Sequence, residues 1–187
     1  MPFEHARQLC GGCLRRPFPF LRAQAALAYG GSVTQALMRF KHGGHRHLAT
    51  PLARYLVPAV SALWQQADVV CPVPLHRERL KSRGFNQALE LLRGACRGLP
   101  RRQREKVVCD TLARNIDTPA LGHGSPDARA RAVAGAFTVS RPASVAGKHV
   151  LVVDDVMTSG ATLAECARTL LAGGAAKVSV AALARAI

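Results

Sequence analysis

Val150 to Val153 form a continuous apolar run, and no other stretch limits the possible folds of this chain so strongly. A strand that is apolar at every position has no solvent face, so it belongs inside a sheet covered on both sides. Asp154 and Asp155 follow it at its carboxyl end, then a small polar turn, Thr158-Ser159-Gly160-Ala161-Thr162. A helical pattern, "ATLAECARTLLAGG", runs on to a glycine stop. Other strands read at 23–29, 67–74, in "AGAFTV" and in "AKVSVAALAR". Helices read from the capping Ser32, over 47–66 in spite of Pro51 and Pro58, and over 85–96. The segments "LHRERLKSRG" and 115–131 read as loops, the first basic, the second long and rich in turn formers. This alternation predicts an α/β fold with a mostly parallel, twisted sheet and helices on both faces.

In open sheets of this kind ligands bind beyond the carboxyl ends of the strands. The 158–162 turn offers backbone N–H groups, three hydroxyls and the positive end of a helix dipole, which together seat a phosphate. The two acids cannot bind phosphate, but they accept hydrogen bonds from sugar hydroxyls or hold Mg²⁺ through its waters. Side by side these features describe a site for a phosphorylated ribose; the plainer alternative is a helix cap on an ordinary β–α connection. Arg77, Arg79, Lys81 and Arg83 follow Pro72 and Pro74 and suit a pyrophosphate whose charge Mg²⁺ shares, or else form a solvated basic loop. Gly84 suits a tight turn, and Asn86 and Gln87 also suit the start of a helix.

Lys and Arg number 26 against 11 Asp and Glu, a formal net charge of +15, which favours polyanionic partners, nucleic acid or phosphorylated small molecules. A generally basic surface is the alternative. Aromatic residues make up only 5% of the chain, against base stacking as the main contact. The 187 residues suffice for one well-formed core, and no apolar run reaches the length of a membrane span. The start lacks the basic-then-apolar order of a secretory signal. Six scattered cysteines form no disulfide framework, so a cytoplasmic protein without membrane insertion is expected. Cys10 and Cys13 make half of a zinc site; His5 offers a third ligand and a fourth is missing. His42, His45 and His47 read as solvent-exposed.

"VLVVDDVMTSGATL" closely resembles the phosphoribosyl-pyrophosphate (PRPP) signature of type I phosphoribosyltransferases, with Ser159 where a second Thr is commoner. The resemblance implies Asp154 and Asp155 as the catalytic acids on the ribose hydroxyls, and Thr158, Ser159, Gly160, Ala161 and Thr162 on the 5′-phosphate. "CPVPLHRERLKSRGFNQA" resembles the ComF/GntX group of that superfamily and implies a pyrophosphate loop at Arg77, Arg79, Lys81, Arg83 and Gly84, with Asn86 and Gln87 as further candidates. "FKHGG" resembles the family's Phe-Lys-x-x-Gly segment and makes Lys41 a phosphate contact, or a helix-end lysine. "LARNIDTPAL" and "RARAVAGAF" resemble two further segments and point to Arg114, Thr118, Pro119 and Arg129; Ala120 and Ala132 stand where the family has Gln and Asn.

The resemblance implies residues 1–22 as the remnant of an N-terminal zinc ribbon, either truncated upstream or decayed, and 23–187 as the phosphoribosyltransferase-like domain. Mg²⁺ with PRPP, and Zn²⁺ at Cys10 and Cys13, are the implied cofactors. The implied role is in natural transformation, with single-stranded DNA and a DNA-uptake helicase as partners. A single-stranded nucleic-acid-binding module and a PRPP sensor without transferase activity are the other readings. No residue marks the acceptor.

Overall fold

The structure, a computed structural model, describes residues 17–42, 44–118 and 125–186. Four parallel strands form the main sheet in the order β1 (Ala23–Ala28), β6 (Lys177–Arg185), β5 (His149–Met157) and β2 (Val69–Pro72). A separate antiparallel pair joins β3 (Leu112–Arg114) to β4 (Phe137–Val139). The helices are α1 (Gly31–His42), α2 (Ala49–Gln66), α3 (Arg77–Arg83), α4 (Gln87–Cys96), α5 (Arg101–Arg104), α6 (Pro126–Val133), α7 (Pro142–Val145) and α8 (Ala161–Ala172). The α/β class with a mostly parallel sheet is as the sequence predicts. Among the described residues no helix is long and apolar enough to cross a membrane.

The pleat of β5 explains its uninterrupted apolar run. Val150 and Val152 point into a core with Leu163, Cys166, Ala167 and Leu170 of α8, together with Leu112 and Phe137 of the small pair. Leu151 and Val153 point the other way, against Leu52, Leu56 and Leu63 of α2 and Leu91 and Leu92 of α4. All four are fully buried, each contributing about 1.5–3 kcal/mol of apolar burial. Helices α2 and α4 approach closely because Gly94 has no side chain: a Cβ there would lie 3.0 Å from the Ala49 carbonyl oxygen and from Ala53 Cβ. Lys106 Nζ donates to the carbonyls of Trp64, Gln65 and Ala67, so it closes the carboxyl end of α2.

Ser32 lies inside α1 rather than capping it, and three further local features also differ from the sequence expectation. Strand β5 does not stop at the acids: Asp154, Val156 and Met157 still pair with Ala182, Ala184 and Arg185 of β6. The basic "loop" is helix α3, capped at His76, whose ring Nδ1 accepts from the Glu78 N–H, and ended by Gly84 at φ 79°. The segment read as a loop to 131 turns helical at Pro126, where Ser125 Oγ accepts from the Ala128 N–H.

The helix after β2 that packs on the sheet, α4, covers one face, whereas the helix after β5, α8, covers the other. Chain direction therefore diverges between the carboxyl ends of these two neighbouring strands, and a crevice opens there.

Candidate functional site

Asp154 and Asp155 stand in that crevice on opposite sides of the sheet, since β5 keeps its pleat through them. Asp155 is buried on the α2 side, where Lys41 at the end of α1 places Nζ 3.0 Å from its Oδ2. Asp154 lies on the α8 side and its Oδ1 accepts the Asp155 N–H at 2.8 Å. Burial first, and the neighbouring Asp155 carboxylate second, push the Asp154 carboxyl up to about 7, while Lys41, the Asp155 N–H and Arg114 pull the other way.

Beyond the acids the chain turns through Thr158 and Ser159 into Gly160, whose φ of 78° is the left-handed conformation that favours glycine. A Cβ there would also lie 3.1 Å from Met157 Cε and from Phe18 Cε1. Gly160 is the N-cap of α8, with no side-chain cap on the helix and no acid in its first turn. The helix N-terminus thus keeps its positive end open toward a cavity of about 250 Å³ lined by residues 158–163 and Asp154.

Across that cavity stand Arg79, Arg114, Thr118 and Arg129. Arg114 leaves β3 with its guanidinium 5.4 Å from the Phe137 ring centroid and donates to the Thr118 hydroxyl and, at 3.3 Å, the Ile116 carbonyl. Burial, then Arg79, hold this guanidinium below its usual value. Arg79 donates to Asp117 at 3.0 Å and to the Thr118 carbonyl. Arg129 arrives on α6.

A second, adjoining cavity of about 690 Å³ adds Tyr29, Lys41, Arg83, Gln87 and Asp155, and shares Asp154, Arg79, Arg114, Arg129, Thr158, Ser159 and Thr162 with the first. Burial lowers the Arg83 guanidinium below its usual value, opposed by the two carboxylates. The result is a cleft with basic groups along both ends and the acids between them.

The helical form of α3 sorts its basic residues. Arg79 and Arg83, one turn apart, line the cleft. Arg77 and Lys81 lie outside it, highly exposed, and each makes a 3.1 Å ion pair with Glu78. Gly84 borders a different cavity. Asn86 reaches the cleft wall but works structurally: Oδ1 caps α4 at the Leu89 N–H, and Nδ2 donates to the Val73 carbonyl at 2.9 Å. Gln87 accepts from Arg83 at 3.1 Å and so orients it. Cys10, Cys13, His5, Pro119 and Ala120 lie outside the described residues, and His42, His45 and His47 are exposed. Among the described residues no three or more His, Cys, Asp or Glu gather into a metal-binding group.

Tyr29 and Ala186 are cleft residues that the sequence reading passed over. Both directly follow parallel strands, β1 and β6, so the rule that pointed to Asp154 also reaches them once the strand order is known.

Residues 101–187 match the family model described as a phosphoribosyl transferase domain. The chain is 33% identical over 190 aligned residues to the DNA utilization protein YhgH of Escherichia coli strain K12, covering 99% of this chain and 81% of that protein. The corresponding Salmonella typhimurium protein is 34% identical with the same coverage. Over 33 residues the chain is 61% identical to ribose-phosphate pyrophosphokinase 4 of Oryza sativa subsp. japonica, 18% of this chain and 10% of the other. Among solved structures it is similar to the allosteric regulatory enzyme of purine biosynthesis, at TM-score 0.40 and 22% identity, covering 74% of this chain and 25% of that one.

Proposed function

The chain belongs to the ComF-like family of phosphoribosyltransferases, and on that premise we propose that it binds PRPP across the two cavities that meet at Asp154. The observation that carries this reading is the shared position of Asp154, between an uncapped helix N-terminus and a basic cavity. In this reading the 5′-phosphate takes the open N–H groups of the 158–162 turn. Asp154 and Asp155 accept from the ribose hydroxyls, and the pyrophosphate lies toward Lys41, Arg79 and Arg83.

Two adjacent carboxylates with no third His, Cys, Asp or Glu gathered beside them among the described residues fit Mg²⁺, a hard cation that would take its remaining oxygens from substrate and water. When bound with PRPP, Mg²⁺ supplies charge neutralisation for the pyrophosphate. The chain's own contribution to transfer is positional and electrostatic. The turn and arginines fix both phosphate ends of the substrate, which holds the anomeric carbon between them. The carboxylates face the sugar as positive charge develops on it and the C–O bond to pyrophosphate breaks. The name of the relatives, DNA utilization protein, together with a net charge of +15, supports a role in handling incoming DNA.

Thermal unfolding with PRPP and Mg²⁺, ribose 5-phosphate, pyrophosphate or a single-stranded oligonucleotide tests this reading. A ligand at a hundred times its Kd stabilises by about 2.7 kcal/mol, a rise in Tm on the order of 5–10 °C for a chain of this size. PRPP with Mg²⁺ is expected to give the largest rise. Equal or no shifts for all four ligands contradict the proposal.

A further inference from the structure

Helix α3 is a partition with a cavity on each side. Arg79 and Arg83 face the PRPP cleft, whereas Leu80 and Gly84 face a separate cavity of about 390 Å³, and Leu75 and Asn86 border both. The floor of this outer cavity is apolar, built from Pro72, Pro74, Phe85 and Leu89, and Leu80 stands exposed in its wall. Its rim is basic. Arg46 grips Glu90 with two nitrogens, Nη2 at 2.9 Å from Oε1 and Nε at 2.8 Å from Oε2, and Arg93 Nη1 donates to Oε1 at 2.6 Å.

Two guanidiniums against one carboxylate leave this cluster with a surplus positive charge. Glu90 is buried while both arginine side chains are more than half exposed, so the carboxylate works from below as an anchor that fixes them at the surface. Burial alone would push the Glu90 carboxyl up; the hydrogen bonds from Arg46 and Arg93 outweigh it and hold it below the usual range. Nearby acids are engaged elsewhere: Asp110 pairs with Arg141 at 2.7 Å, and Glu78 with Arg77 and Lys81. An apolar floor with room for one or two large side chains, under two preset arginines, is complementary to an apolar anchor flanked by acids.

We propose that this outer cavity docks an acidic, apolar-anchored segment of a protein partner, and that docking is felt in the cleft through α3. The docking half stands on the cavity alone; the coupling half rests on the PRPP reading above. Helix α3 has only seven residues, and its cleft-facing and outer side chains alternate, so it cannot be steadied from one side without steadying the other.

Fluorescence anisotropy with a fluorescein-labelled peptide, Asp-Glu-Leu-Phe-Glu-Asp, tests the docking. The comparators are Asp-Glu-Gly-Ser-Glu-Asp, which lacks the anchor, and Lys-Lys-Leu-Phe-Lys-Lys, which reverses the charge. The anchored acidic peptide is expected to bind about tenfold tighter than either. Arg93→Glu, which reverses a rim charge, and Leu80→Ser, which removes apolar wall without changing charge, are both at exposed positions and are each expected to weaken it about tenfold. Arg168→Glu on α8, across the sheet, makes the same change in net charge as Arg93→Glu and should leave affinity within about threefold. Equal binding of the anchorless peptide, or an equal loss with Arg168→Glu, overturns the docking in favour of general attraction to a basic chain. Displacement of the peptide by adenosine monophosphate, with no dependence on the anchor, assigns the cavity to small anions and overturns it as well. Coupling is read from amide exchange over residues 77–83, expected to slow with the peptide bound, and from a PRPP affinity that rises about threefold. Unchanged exchange overturns the coupling. Failure of PRPP alone to bind counts against the proposed ligand of the cleft and leaves the anisotropy and exchange results decisive.

Discussion

Replacing Asp154 with Asn should make the ligand-free protein more stable at neutral pH while weakening its hold on the substrate. The carboxyl rises from 3.8 to about 7 in the fold, first because it is buried and second because Asp155 stands beside it. A carboxyl with a raised folded pKa keeps its proton in the native state over a window where the unfolded chain has lost it. Its contribution to stability is therefore greatest below about pH 4, falls as pH rises toward 7, and is gone above that. At about 1.36 kcal/mol per pH unit the full rise corresponds to about 4 kcal/mol. Asp154 is half-buried and lines an open cleft, so roughly half of this, about 2 kcal/mol, should appear in a stability measurement. For 187 residues that is a gain in Tm on the order of 4–8 °C for Asp154→Asn. Melting both proteins by circular dichroism from pH 4 to pH 8, without PRPP or Mg²⁺, should show a difference that grows to about pH 7 and then levels off. A variant no more stable than wild type at pH 8, or a difference indifferent to pH, refutes the reasoning.

Gly160→Ala should cost about 1–2 kcal/mol from left-handed backbone strain, with additional crowding against Met157 and Phe18, and should lower PRPP affinity along with Tm. Gly94→Ala puts a Cβ against the Ala49 carbonyl and should cost about 1–3 kcal/mol in urea unfolding, yet leave PRPP affinity within about twofold. Arg79→Ala removes a cleft guanidinium and should weaken PRPP binding by about tenfold or more, whereas Arg77→Ala, on the outer side of α3, should change it less than about twofold. Equal effects of the two arginine changes in a binding titration would contradict the assigned orientation of α3.

The buried scaffold was legible because hydrophobic patterning is the force that builds it. The unbroken Val150–Val153 run marked a strand covered on both faces, and the glycine after "ARTLLA" marked the end of α8. Helix α3 was not legible as a helix: its seven residues carry no apolar periodicity, and its ends are set by His76 and Gly84. For that reason four basic residues read as one loop, and only the fold separates Arg79 and Arg83 from Arg77 and Lys81. The acids were legible as a pair but not as a pair on opposite sides, because that depends on β6 continuing alongside them. Arg114 and Arg129 line the cavity at the start of α8 from elements well separated from it along the chain, which spacing alone does not bring together; only the family resemblance pointed to them.

One ligand is expected to span both cavities with its ribose on Asp154 and Asp155. Isothermal titration of PRPP with Mg²⁺ into wild type and into the Asp154→Asn/Asp155→Asn double variant tests it most directly. Saturable one-to-one binding to the wild type, weakened about a hundredfold or more in the double variant, is the predicted result. No heat with the wild type, or equal affinity in the two proteins, contradicts it.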